Sequence, residues 1–356
     1  MKKELLVLLL GLTITTVTVE GQIDSMKQAR YTIEDSQDLD AGLFESDNLF
    51  RITLKFDISY YKRKKPVDEY LDAELKYFIS PTDSVDKMIR LRARGKYRLT
   101  FCDFPPVLLN FSVRDSRGTV FSGIDKIKLV PHCKIGYQDY LLREYLIYKL
   151  YNELTDNSFK VRLLEIKYID TGRKSKPLYE YGFLIEPVEI FQLRTRSIVL
   201  DNTFLTQKDV PAELMDRIAI FNYMIGNTDW AVPRQHNIQL FTSPDNIQYN
   251  PTLIVPYDFD SSGLVNAEYA IPPEGLGIKS FRERLYLGIC RDENEFRKVL
   301  SQFIEKKERF YSIINDFTYL SKGSKKDMIG FLDQFFRMFD RKNTIIKNLS
   351  NSCKKL

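Results

Sequence analysis

Asp229, Asn237 and Asp258 are the side chains whose types and spacing most plainly allow chemistry in this sequence. Asp229 stands in Gly226-Asn-Thr-Asp-Trp230, directly after a helical run, and Asn237 follows it by eight positions. Asp258 and Asp260 close a buried-looking strand in Tyr257-Asp-Phe-Asp-Ser-Ser-Gly263. An Asp at a loop mouth, an Asn beyond it and an Asp after the next strand is how phosphotransferases place an acceptor-orienting carboxylate beside a metal ion. On this reading Asp229 orients the acceptor, Asn237 and Asp258 hold magnesium against nucleotide phosphates, and Asp260 is a second acidic ligand. Each segment also has a plainer role, a helix C-cap with its turn and a strand-to-turn exit. Their spacing behind one helix favours the site.

Phosphates need a cation as well. Lys126 and Lys128 point to one side of a strand that turns Ile127 and Leu129 into the core. Lys128, nearer the helix that follows, is assigned the phosphate contact, and Glu144 on that helix its ion-pair partner.

The elements that must position these groups come in a definite order. Period-two alternation marks strands at Phe50–Ile58, Met88–Arg92, Tyr97–Phe101, Val107–Val113 and Ile124–Val130, with a turn at Asp115–Gly118. A helix over Tyr137–Leu154 follows, then a hairpin of Phe159–Tyr168 and Leu178–Ile185. Beyond Glu186 the pattern is mostly helical, through Val188–Arg196, the run before Ile225, Glu293–Phe317 and Lys325–Arg341. In the last of these Phe331, Phe335, Phe336 and Phe339 form a core-facing stripe. Sheet, helix, hairpin, hinge, helix, Asp loop, strand pair, Asp-Phe-Asp and helices is the order of an α+β, bilobal protein-kinase-like fold. It predicts a sheet-rich, antiparallel N-lobe over 49–186 and a mostly helical C-lobe over 187–356.

Ile225-Gly-Asn-Thr-Asp-Trp230, His236-Asn237 and Tyr257-Asp-Phe-Asp260 together resemble the atypical kinases of the CotH spore-coat and HipA-like groups. From about Lys126 to Cys290 the chain is also similar to a set of exported, mostly uncharacterised Bacteroidetes proteins. Arg143-Glu-Tyr-Leu-Ile-Tyr-Lys-Leu-Tyr151 and Arg282-Glu-Arg-Leu-Tyr286 belong to that likeness. The resemblance implies a kinase-type phosphotransferase using Mg2+ and ATP, with Asp229 as the catalytic-loop Asp and Asn237 and Asp258 as its metal ligands. The step from Asp229 to Asn237 is eight residues where kinases use five, and Gly118 and Gly123 are isolated rather than a glycine-rich loop. The alternative is therefore a non-catalytic envelope binding or assembly protein.

Composition fits a globular chain: 356 residues, 44% hydrophobic, 28% charged and a net charge of +5. The basic clusters Lys62–Lys65 and Lys325–Lys326 lack interleaved aromatics, which argues against a nucleic-acid partner. Met1-Lys-Lys, an apolar run over Leu5–Val19 and the small Gly21 predict a signal peptide over 1–21, with a loose arm over 22–48. No later stretch is long enough to span a membrane. A periplasmic or extracellular location would permit disulfides among Cys102, Cys133, Cys290 and Cys353, with three pairings open. Two rival chemistries carry less weight: a Cys133 thiol with His132 or His236 as base, and a Glu186/Glu189 carboxylate pair.

Overall fold

Alternating apolar residues build the first half of the molecule. In β1 (Phe50–Phe56) the side chains of Phe50, Ile52, Leu54 and Phe56 are buried and those between them are not. The structure, a computed structural model, describes residues 42–80, 82–111, 119–246, 250–340 and 344–355. The signal peptide expected over 1–21, most of the expected arm over 22–48 and the expected Asp115–Gly118 turn lie outside the described residues.

Six more strands follow: β2 (Leu71–Phe78), β3 (Ser84–Ala93), β4 (Val107–Asn110), β5 (Lys126–Val130), β6 (Val161–Asp170) and β7 (Leu178–Ile185). They close in the order β1-β2-β3-β4-β5-β7-β6. β1 lies parallel to β6, from Phe50 opposite Leu164 to Phe56 opposite Asp170. The other neighbours are antiparallel. Leu54, Leu75, Leu91, Leu109, Ile127, Ile166 and Leu184 belong to one buried core.

This closure overturns the bilobal protein-kinase-like fold with an antiparallel-sheet N-lobe. The β6–β7 hairpin fills the gap between the first and fifth strands, giving a closed, mixed, seven-stranded barrel. Period two reports which face a strand buries and says nothing about which strand lies beside it. The Tyr97–Phe101 segment, expected as a strand, is a short helix, and a further helix at Ile58–Lys64 follows β1 (α2 and α1).

The long helix α3 (Gln138–Leu154) packs against β7 and against α6 (Glu293–Asp316). Its Leu142, Ile147 and Leu150 are fully buried in a second core. Around that core lie α4 (Val188–Thr195), α5 (Ala212–Ile225), α7 (Lys322–Asp340) and α8 (Thr344–Ser352). A small antiparallel sheet joins them, with β9 (Ile238–Thr242) between β8 (Ile198–Val199) and β10 (Leu253–Pro256). The phenylalanines Phe331, Phe335 and Phe336 of α7 are buried, as their spacing requires. Among the described residues no helix is long and apolar enough to cross a membrane.

Disulfides join Cys102 to Cys133 and Cys290 to Cys353. With Cys133 bonded, it has no thiolate to act as a nucleophile.

Candidate functional site

Asp229 is placed by the end of α5. The helix stops at Gly226, whose left-handed φ of 69° a side chain would strain. A Cβ there, or on Gly263 beside it, would strike the carbonyl oxygen of Phe281, so the two backbone segments meet at glycines. Asn227 then turns the chain: its Oδ1 accepts from the Asp229 N–H at 2.8 Å, and its Nδ2 donates to Asn222 Oδ1 at 2.9 Å. The Asp229 carboxylate is gripped on both oxygens. His236 Nε2 lies 2.6 Å from Oδ1, and Asn237 Nδ2 donates to Oδ2 at 3.2 Å and to the Asp229 carbonyl at 2.7 Å. Since both Asn237 contacts are acceptors, its amide must turn the nitrogen toward them, which leaves Oδ1 available to another partner.

The backbone here is unusually strained. Arg234, Gln235, Asn237 and Asp258 all take positive φ, from 48° to 62°. Each such non-glycine costs on the order of 1–3 kcal/mol, and such residues cluster where geometry is over-determined, at functional sites above all. Asp258 follows β10, and its N–H donates to the Tyr148 hydroxyl of α3 at 2.9 Å. Desolvation, then the Asp260 carboxylate and more weakly Asp229, raise the Asp258 pKa against the opposing charges of Arg98 and Arg94.

Two adjoining cavities gather these groups. Asp229, Asn237, Asp258 and Asp260 line one of about 560 Å³. Lys128 lines the other, of about 180 Å³, whose apolar wall includes Val130, Phe159, Ile185 and Val188. Arg94, Tyr257 and Asp258 border both. Five of the six residues singled out from the sequence thus meet along one cleft. The Lys128 ammonium sits 5.6 Å from the Tyr257 ring centroid. Crowding by the cleft walls, then the nearby Arg94, lower its pKa.

Glu144 lines neither cavity and does not reach Lys128. It is buried and bonded to Arg98 Nη2, while Arg98 Nε donates to Asp260 Oδ2 at 2.7 Å. The arginine takes the place expected of the lysine because Glu144 faces α2 rather than β5. Burial works against charge on Arg98, yet Asp260 and Glu144 hold its pKa well above the ordinary value. One guanidinium cannot balance two carboxylates, and burial pushes Glu144 up to about 8.

Arg94 and Arg98 escape a motif search, although a faint signal exists. Arg90, Arg92, Arg94, Lys96 and Arg98 place a cation at every second residue, running on past the end of β3. Arg90 and Arg92 lie over the Tyr70 ring, whereas Arg94 turns into the cleft with its Nε buried and without a hydrogen-bond partner. A larger open cleft of about 780 Å³ lies elsewhere, but its Arg291 is already paired with Asp216 and its Asp209 bonds Thr206.

No model of a known protein family matches the chain, and no curated protein matches it either. The chemistry of the cleft therefore rests on its own groups. Among the described residues, no three His, Cys, Asp or Glu side chains stand close enough to hold a metal by themselves. Magnesium suits such a site, because it commonly takes one or two carboxylates and completes its shell with water and substrate phosphates. A divalent cation would relieve the repulsion from Asp260 that adds to desolvation in raising Asp258.

Proposed function

We propose that this cleft binds a magnesium–nucleoside triphosphate and transfers a phosphoryl group to an acceptor hydroxyl. The observation that carries the reading is the meeting of Lys128 and Arg94, neither ion-paired among the described residues, with Asp229, Asn237 and Asp258 along adjoining cavities. The small, half-apolar cavity suits a planar base. Lys128 and Arg94 face the phosphates, and Asp258 with Asn237 Oδ1 offers hard oxygen ligands to magnesium. The metal would neutralise charge on the phosphoryl oxygens. Asp229 accepts the acceptor's hydroxyl proton as its oxygen bonds to phosphorus and the bond to the nucleotide diphosphate breaks. His236 and Asn237 hold that carboxylate for the task. The two disulfides support export to an oxidising compartment.

Incubation with Mg2+ and labelled ATP should transfer label to the protein itself or to an added protein mixture, and Asp229→Ala should abolish transfer. Undiminished transfer in that variant removes Asp229 from the mechanism. A second reading, a non-catalytic binding module, draws support from the eight-residue step between Asp229 and Asn237 where kinases use five. It predicts no transfer and a melting temperature unmoved by Mg2+ and ATP, whereas a ligand at about 100 times its Kd would add about 2.7 kcal/mol.

A further inference from the structure

We propose that Arg98 is the positioning residue of the cleft, setting the Asp260 carboxylate beside Asp258 so that the pair can receive a magnesium ion. The inference rests on the phosphoryl-transfer reading and names a residue that it does not use.

Arg98 lies on the five-residue helix α2, yet its guanidinium contacts two distant segments: Glu144 on α3 and Asp260 in the loop after β10. Three stretches far apart in sequence therefore meet at one planar group, whose fork of donors fixes direction as well as distance. The Asp260 side chain receives Nε on Oδ2, and the Tyr269 hydroxyl donates to the same oxygen at 3.3 Å. Its other oxygen, Oδ1, takes no hydrogen bond among the described residues, and Asp260 lines the cavity with Asp258.

The helix that carries Arg98 is itself tied down. Cys102, the next residue after α2, is bonded to Cys133 in the connection from β5 to α3. The Phe104 N–H also donates to the Cys133 carbonyl at 2.9 Å. The Tyr97 hydroxyl reaches the Tyr269 carbonyl at 3.1 Å, and the Phe101 and Tyr269 rings sit 4.9 Å apart. Helix, disulfide and aromatic contacts thus hold the arginine from both ends. A guanidinium needed only for charge balance would not require them. Outer-shell groups of this kind orient the ligands of metal sites.

The test is calorimetric titration of ATP into the full chain, once in EDTA and once in Mg2+. Arg98→Met alone strands the buried Asp260 and Glu144 carboxyl groups, so the Arg98→Met/Glu144→Met double variant is measured beside it, with Arg98→Lys as the conservative change. The expected result is wild-type binding that tightens with Mg2+, and a double variant that folds, keeps its metal-free affinity and loses about 10–100-fold of the magnesium-dependent gain. Arg98→Lys recovers part of that gain. A double variant that keeps the whole gain, or that loses metal-free and magnesium-dependent affinity alike, makes Arg98 a structural residue and overturns the proposal. Wild-type binding indifferent to Mg2+ overturns it while leaving the nucleotide site standing. No ATP binding by wild type in either buffer defeats the phosphoryl-transfer reading itself.

Discussion

The barrel interior and the cleft bury polar groups by opposite rules. Within the barrel core, His132 packs against Phe104 and Tyr168, with ring centroids 5.2 and 5.9 Å away, and burial lowers its pKa to about 4. It stays neutral. In the cleft the Arg98 guanidinium is held charged between Asp260 and Glu144, and Asp258 and Arg94 stand beside it. A sealed apolar interior tolerates a titratable group by leaving it uncharged, whereas a crowded polar site holds charge by setting charge against it. The first rule serves packing alone. The second leaves an imbalance that a charged ligand can complete.

The sharpest way to break this comparison is to delete one member from each region. Arg98→Met should cost about 3–5 kcal/mol, since buried Asp260 loses its counter-charge and Glu144 its hydrogen-bond donor. Leu54→Ala in the barrel should cost about 2–5 kcal/mol through the cavity it leaves. The difference lies in rescue: adding Glu144→Met should restore much of the arginine loss. Urea unfolding of single and double variants measures this, and a fully additive double variant would refute the charge account.

Next in size is the Cys102→Ser/Cys133→Ser pair, expected to lower stability by about 2–4 kcal/mol. Hydrogen exchange should quicken first around residues 94–101, ahead of β1 and β6. Uniform quickening would mean that the bond braces the whole barrel rather than the cleft.

The two regions should also answer pH with opposite signs. His132 has a folded pKa of about 4 against an ordinary 6.5, so its contribution is whole above 6.5 and is lost as pH falls toward 4. Glu144 has a folded pKa of about 8 against an ordinary 4.5. Its contribution is whole below 4.5 and is lost as pH rises toward 8. Unfolding free energies across pH 4–9 should lose the acid limb in His132→Phe and the alkaline limb in Glu144→Gln. The smallest effect is expected for Tyr148→Phe, about 1 kcal/mol, because one N–H of Asp258 loses its acceptor. A Tyr148→Phe protein as stable as wild type would mean that water replaces the hydroxyl.

Much of this was legible along the chain and some was not, for physical reasons. The helices over 138–154 and 293–316 announce themselves by apolar spacing. The Asp229 loop is marked by glycine and small polar residues at a helix end. β2 buries Ala73, Leu75 and Tyr77 between Asp72, Glu74 and Lys76, an alternation that its many charges mask. Tyr97-Arg-Leu-Thr-Phe101 alternates like a strand, but five residues are too few for period to decide, and the ring contacts of Tyr97 and Phe101 favour a helical turn. The partner of Glu144 was hidden most deeply. An Arg–Glu pair 46 residues apart leaves no local trace, and the nearer lysine of β5 is the natural guess.

The parallel seam between β1 and β6 has a consequence for how the chain is made. Arg51 meets its opposite number Glu165 across 114 residues, so the opening strand must wait while four others and a long helix are added. Throughout that interval β1 and β5 present raw backbone edges to any passing strand. The barrel closes late and by a distant contact, which makes its assembly slow and exposed to wrong partners. A chain cut short before Val161 would keep both edges for good, and aggregation rather than a smaller barrel is the fate its topology assigns.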